Sequence, residues 1–347
     1  MQPSADPTSA NDWVERVLAI LGQESSTPAS SGWLFRSGHR LFAVDWSVLR
    51  TIYGQRLSVR GVLKEIAGGT RLEMPTMQRV STLPPGFFGV VSPYHGYRKV
   101  FCYLPHEGKF IKIAFGPHGK RELEREVLAV LYVRGKGLTD MVPRPSSVKT
   151  ADEQSWISSP LVYGSRSNRP VPFALVCELL SDMYSVWGHE KVAADAYLTE
   201  LEEGLADIKS PSSPAHTLIA TLRSHFGEGA LLMTFTHGDL GPSNILMNGD
   251  RRIVVDWSSF GRRSMLYDAS ENVKRGCTIR QSVERLTQHL SYLQAFFPGA
   301  LDAKLALAYY GVALLEHERQ LRPGVRSRPH IRAHNDRQFA YVQKLLT

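Results

Sequence analysis

Residues 236–257 read THGDLGPSNILMNGDRRIVVDW, and three side chains in that stretch could do chemistry together. Asp239 carries a carboxylate on a turn-forming segment, Asn244 follows five residues later with an amide oxygen, and Asp256 closes the apolar run IVVD. Transfer of a phosphoryl group needs such a set. A carboxylate must accept the proton of an attacking hydroxyl, hard oxygen ligands must hold magnesium on the nucleotide phosphates, and a cation must grip the inner phosphates. Gly241 and Pro242 keep the backbone between the first two residues off a helix, so both side chains can turn toward one cavity. Asp256 stands at the tip of an apolar strand, from which its carboxylate can reach the same ion. Asp, Asn and Gly-Pro are also what plain turns use. Two linked blocks in the right order are much rarer than any one of them.

HGDLGPSN (237–244), followed by IVVDWSSFGRRSMLYD (253–268), resembles the aminoglycoside phosphotransferase and choline kinase-like group, which shares the protein-kinase-like fold. The resemblance covers about residues 86–270. It implies that Asp239 is the catalytic base or orients the acceptor hydroxyl, and that Asn244 and Asp256 bind Mg2+. It implies that His237 shapes the loop and that Asp268 is the aspartate this group often carries near Tyr-Asp. ATP or another nucleoside triphosphate would be the co-substrate. A small-molecule kinase acting on a hydroxyl is the activity implied. The alternatives are an aminoglycoside (antibiotic-resistance) phosphotransferase and a non-catalytic, nucleotide-binding regulator. A scaffold would have no use for the whole set of Asp239, Asn244, Asp256 and Lys112.

The elements that must position these residues lie on both sides of the motif. Upstream, GFFGVVS, YRKVFCYL and KFIKIAF read as three strands separated by turns. Lys112 in the third resembles the phosphate-gripping lysine; Lys109 is its rival but abuts the turn at Gly108. A helix follows in KRELEREVLAVLYVRG, with Leu123, Val127, Val130 and Leu131 as its apolar stripe. It offers Glu122, Glu124 and Glu126 as partners for the lysine, and helical phase does not choose among them. The family habit of a glutamate just before the apolar turn favours Glu126. PVPFALVCELL reads as one more buried strand, resembling the strand that leads into the hinge between lobes. Backbone groups around Glu178 to Leu180 would then meet the adenine. The phosphate-covering G-x-G-x-x-G of protein kinases is missing, and SPYHGYRKV supplies Gly96 alone. WSS after Asp256, in place of FG, fits small-molecule kinases better than protein kinases.

Helical spacing then dominates over 190–207, 214–226, 279–296 and 301–320. Near the start, Asn11 or Asp12 can cap a helix with Val14, Val17, Leu18 and Leu21 on one face, ended by Gly22 and followed by the polar linker ESSTPASSG. Residues 33–80 hold short mixed segments whose type the pattern leaves open. The expected architecture is therefore an α+β, protein-kinase-like bilobal fold. It comprises an N-terminal extension over 1–80, a β-rich, nucleotide-binding N-lobe over 81–180 and a mostly helical C-lobe over 181–347.

Composition narrows the partners. No apolar run approaches the ~20 residues needed to span a bilayer, and the start lacks the basic and apolar regions of a signal peptide. The three cysteines are far apart, without metal-ligand spacing, and read as reduced structural thiols of a cytoplasmic protein. A net charge of +8 favours anionic partners. Much of it gathers in ERQLRPGVRSRPHIRAHNDRQ, which reads as a solvated loop between two helices. Arg319, Arg322, Arg326, Arg328, Arg332 and Arg337 would repel a polycationic aminoglycoside and welcome an anionic acceptor. A sugar, a glycan or another small metabolite ranks above an antibiotic as acceptor, and peripheral contact with an acidic lipid surface suits the same charge. No aromatic-interleaved basic ribbon points to nucleic acid.

Overall fold

The computed structural model describes residues 30–37, 40–44, 76–83, 88–92 and, apart from 105–106, 163–164, 167–171, 206–212, 242–243, 249, 275–276 and 322–327, residues 99–347. Ile20 is also described, helical and buried; the rest of the helix expected over 12–21, and the linker after it, lie outside the described residues. The fold is α+β, with the large sheet formed early in the chain and helices dominating later. The chain divides into two compact units, residues 1–131 with 143–163, and residues 132–142 with 164–347.

The first unit is built on an eight-stranded antiparallel sheet. Its strands are β1 (Ser30–Ser37), β2 (Arg40–Val44), β3 (Thr76–Leu83), β4 (Phe88–Ser92), β5 (Lys99–Leu104), β6 (Lys109–Phe115), β7 (Lys149–Ala151) and β8 (Gln154–Pro160), in the order β3-β1-β2-β4-β5-β6-β8-β7. Three of these come from the three runs expected upstream of the motif, and the mixed stretch 33–80 contributes to β1, β2 and β3. Alternation divides β5 and β6 between two faces. Val100, Cys102 and Leu104 pair in register with Ile113, Ile111 and Lys109, and the apolar members of that set are buried. Ala114 on the other face packs with Ile157 and with Leu123 of helix α1 (Gly116–Gly135).

Helix α1 corrects the expected stripe. Leu123, Ala129, Val130 and Val133 are buried, whereas Leu131 is 46% exposed. The buried line through 123, 126, 130 and 133 therefore includes Glu126, the feature that helical phase alone had left undecided.

In the second unit, the segment expected as a hinge strand is helix α2 (Phe173–Trp187). Its buried residues Val176, Cys177, Leu180, Met183, Tyr184 and Trp187 recur at helical spacing along fifteen residues, a period hidden when FALVCELL is read alone. Amides and carbonyls in a helix interior are spent on one another, so the expected backbone contact of Glu178 and Leu180 with adenine is withdrawn. Leu180 is core, and exposed Glu178 pairs with Arg252 at 2.6 Å.

The helix expected over 190–207 begins as strand β10 (Glu190–Ala193), which pairs with β11 (Ala230–Thr236) before α3 (Ala194–Gly204) starts. Helix α4 (Pro214–Phe226) has the expected bounds, with Ser213 as its N-cap and proline in its first turn. A second small sheet joins β9 (Ser165–Arg166), β12 (Ile245–Asn248) and β13 (Arg251–Val254), while β14 (Gly261–Ser264) pairs with β11. Helix α5 (Tyr267–Lys274) follows. The segment 279–296 breaks at His289 into α6 (Ile279–Gln288) and α7 (Leu290–Gln294). Helix α8 (Ala303–Gln320) is buried on nearly every side from Ala306 to Glu316, as a central helix must be. Residues 329–338 of the basic run expected as a loop belong instead to helix α9 (Pro329–Leu346), which buries Phe339, Val342 and Leu346, while 322–327 of that run lie outside the described residues.

Among the described residues no helix is long and apolar enough to cross a membrane. Cys102 and Cys177 are buried free thiols, and burial pushes Cys177 up to about 12 and Cys102 further, so neither is poised for thiolate chemistry.

Candidate active site

The motif residues of the second unit meet where strand β11 ends. Thr236 is its last residue, and the chain then turns through His237, Gly238 and Asp239 before Asn244 opens β12. The Asn244 amide group donates to the Asp239 carbonyl at 2.8 Å and to Asp239 Oδ2 at 3.2 Å. The Asn244 carbonyl in turn accepts from Val255 N–H at 2.9 Å, extending the β12–β13 ladder by one rung. The residue after that rung is Asp256. Three motif residues are thereby fixed by one extended backbone register and one side-chain clamp.

Asp256 itself is left-handed, with φ 66° and ψ 61°. A non-glycine residue held there costs on the order of 1 kcal/mol or more and is over-determined by its surroundings. Aspartate is among the few residues that tolerate it. Ser258 Oγ donates to Asp256 Oδ1 at 3.1 Å, and a single 3-10 turn, Trp257–Ser259, carries the chain on to β14.

His237 is fully buried, and both ring nitrogens are committed to backbone. Nδ1 accepts from Asp239 N–H at 3.2 Å, which leaves the hydrogen on Nε2 to donate to Val255 O at 3.0 Å. The ring thus bridges the segments bearing Asp239 and Asp256, and it meets Trp257 edge-on. Burial lowers its pKa against the pull of Asp268 and the other nearby carboxylates, so the neutral ring these bonds require is favoured. No nitrogen remains for proton transfer.

Asp268, in the first turn of α5, is also fully buried. Its two oxygens accept from His237 N–H at 2.7 Å and Gly238 N–H at 2.9 Å. Burial pushes its carboxyl upward, and the two backbone amides and the Arg263 charge oppose the shift. Replacing Asp268 by Asn turns an NH2 group toward one of two buried N–H donors. The expected cost is about 1–3 kcal/mol of stability, read as a lower urea midpoint with unchanged m-value.

The other set of expected residues lies in the first unit. Lys112 Nζ and Glu126 Oε1 are 2.6 Å apart, with side chains only 7% and 9% exposed. Sheet register places Lys112 between Phe101 and Ile157, and its ammonium lies 6.0 Å from the Phe101 ring centroid. The rival Lys109 is a surface residue paired with Glu107 at 3.1 Å, and Glu124 pairs with Lys120 along the helix. One pair escaped the sequence: Lys99 of β5 forms an ion pair with Glu122, one turn before Glu126 on α1. Helix α1 therefore holds two strand lysines with glutamates four residues apart. Arg263 and Thr236 were missed as well, because nothing in local spacing announces a contact between residues twenty-seven apart.

Magnesium can be tested against the second unit's donors. Among the described residues no group of three or more His, Cys, Asp or Glu side chains forms a metal cage. Mg2+ does not ask for one, because it is usually held by one or two carboxylates together with substrate phosphates and water. Asn244 spends its NH2 on Asp239, so its side-chain oxygen is the hard acceptor it retains, and its backbone carbonyl makes the rung that precedes Asp256. The donor set fits.

No protein-family model and no curated protein matches the chain. Solved structures do. A choline/ethanolamine kinase family protein from Mesorhizobium loti is 18% identical, with 74% of this chain and 87% of that one covered and a TM-score of 0.46. A thermostable mutant of aminoglycoside phosphotransferase APH(4)-Ia, in ternary complex with ADP and hygromycin B, is 12% identical over 84% and 97% of the two chains, with a TM-score of 0.49. Macrolide 2'-phosphotransferase MphH from Brachybacterium faecium is 15% identical over 72% and 91%, with a TM-score of 0.44. What the chain is similar to, over most of its length, is a set of structures named as kinases and phosphotransferases.

Proposed function

We propose that this chain is an ATP-dependent phosphotransferase that moves the γ-phosphoryl group to a hydroxyl of a small molecule. The observation that carries the reading is the clamp from Asn244 to both the carbonyl and the carboxylate of Asp239, on a loop whose rung to Val255 is followed by Asp256. In this reading Asp239 accepts the proton of the acceptor hydroxyl as its oxygen bonds to the γ-phosphorus and the bond to the leaving ADP breaks. Asn244, through Oδ1, and Asp256, through its carboxylate, would hold Mg2+. When bound, the ion neutralises charge on the β- and γ-phosphates. Lys112 grips the inner phosphates, kept in place by Glu126.

The acceptor is a hydroxyl-bearing metabolite such as a sugar or glycan. The basic C-terminal region supports an anionic one less than its arginine count suggests. Arg319 is paired with Glu200 at 2.8 Å and Arg332 lies 3.9 Å from Asp336, so part of that charge is met on the protein itself. An ATP-consumption screen over sugars, anionic glycans, amino alcohols and aminoglycosides tests the acceptor class. Turnover with none of them, at a nucleotide concentration shown to saturate the protein, would count against the reading.

Asp256→Asn checks the metal role with little structural disturbance, because asparagine also tolerates the left-handed region. Affinity for the magnesium complex of a non-hydrolysable ATP analogue is expected to fall by more than about tenfold, equivalent to about 1.4 kcal/mol. Metal-free nucleotide should bind as before. Calorimetric titration with and without magnesium reads both, and an unchanged magnesium dependence would remove Asp256 from the site.

A further inference from the structure

Arg263 stands on β14 between the two segments that carry Asp239 and Asp256, and its guanidinium reaches both. Nη1 donates to Thr236 Oγ1 at 2.6 Å, one bond chain upstream of His237, and lies 3.5 Å from Gly261 O. Nη2 donates to Ser259 O at 2.7 Å, at the end of the turn that begins with Asp256. The plane sits over Tyr267, with Cζ 4.8 Å from the ring centroid. It also closes on the loop backbone. A Cβ built on Gly238 would stand 2.9 Å from Nη1 and 2.2 Å from Ser259 O, so the two segments touch at the glycine before Asp239.

The base from which Arg263 reaches is itself anchored. Ser264, the next residue, donates through N–H and Oγ to the two oxygens of buried Glu316 at 2.7 and 2.6 Å, and Tyr197 donates to the same carboxylate at 2.6 Å. The positive charge of Arg263 partly offsets the upward push that burial exerts on Glu316 and Asp268. A planar fork with donors on two arms can hold a hydroxyl and a carbonyl in fixed relation; a lysine ammonium at the same place cannot span both.

We propose that Arg263 is a positioning residue that sets the distance between the Asp239 segment and the Asp256 segment. The inference rests on the roles proposed above for those two aspartates. It acts through Thr236 and Ser259, touching neither nucleotide nor acceptor.

The test compares wild type with Arg263→Lys and Thr236→Val by amide hydrogen exchange and by steady-state turnover of magnesium-ATP. In Arg263→Lys, amides of 237–240 and of 256–260 are expected to exchange faster together, while those of α8 stay protected. The kcat should drop by about 10²-fold, the scale of an ångström-level misplacement, with KM for ATP within about threefold. Thr236→Val removes the hydroxyl end of the strut together with its bond to Gly261 O at 3.1 Å, and should speed exchange in the same two segments to a smaller degree. Unchanged exchange in either segment, or a kcat equal to wild type beside active wild-type enzyme, overturns the proposal. Should Arg263→Lys fail to fold, the Thr236→Val exchange decides. Should wild type transfer no phosphate at all, the proposed function falls and the exchange comparison still decides whether Arg263 couples the two segments.

Discussion

Asp239→Asn is expected to lower phosphoryl transfer from ATP by about 10²–10⁴-fold, the usual contribution of a positioned general base. The substitution isolates chemistry from architecture. Asn244 donates to the Asp239 backbone carbonyl at 2.8 Å, a bond that the change leaves alone, whereas the side-chain bond at 3.2 Å is the longer of the two. His237 Nδ1 accepts from the Asp239 backbone amide, which also survives. The loop therefore has reason to keep its shape when the carboxylate loses its charge. Nucleotide affinity in magnesium and the thermal midpoint should stay close to wild type, so that the loss appears in kcat. A fall in nucleotide affinity as large as the fall in turnover would mean that Asp239 serves the metal or the fold instead.

The second large effect concerns the residue beside it. Gly238 is held at φ +85°, and a Cβ there would lie 2.2 Å from Ser259 O, a backbone atom that cannot swing away. Alanine would bring left-handed strain of about 1–3 kcal/mol and overpacking of a further 1–3 kcal/mol. The two amides that Asp268 holds flank the same position, so backbone relaxation would break buried hydrogen bonds. Gly238→Ala should therefore lose about 3–5 kcal/mol of stability and most of its turnover. Denaturant unfolding followed by fluorescence reads the first. A stability loss under a few tenths of a kcal/mol would show that the loop and the Ser259 turn are not packed as described.

Much of the second unit's candidate site could be read in advance because its residues are close in sequence. His237, Asp239 and Asn244 sit within eight residues, and the hairpin that returns Asp256 to them is a short antiparallel pair. Asp268 was legible as a motif residue, although its job of holding two loop amides was not. Other features depend on tertiary neighbours and left no local trace. The choice of Glu126 over Glu124 depends on which face of α1 meets the sheet, and the buried line through 123, 126, 130 and 133 became visible only with packing. Lys99 and Arg263 find partners more than twenty residues away. The helix over 173–187 was misread because an apolar run of eight residues has no diagnostic period; its helical spacing emerges only through SDMYSVW. Residues 329–338 of the basic run read as loop because they hold almost no apolar residues, and the helical spacing of Phe339, Val342 and Leu346 begins only beyond them.

Transfer of label from γ-labelled ATP, followed side by side for wild type and Asp239→Asn, tests the central claim most directly. With magnesium and the acceptor found by the screen, wild type should place label on the acceptor. Asp239→Asn should bind the nucleotide equally well yet transfer at least about a hundredfold more slowly. Equal transfer by both proteins would contradict the account, as would nucleotide-saturated wild type that moves no label to any acceptor.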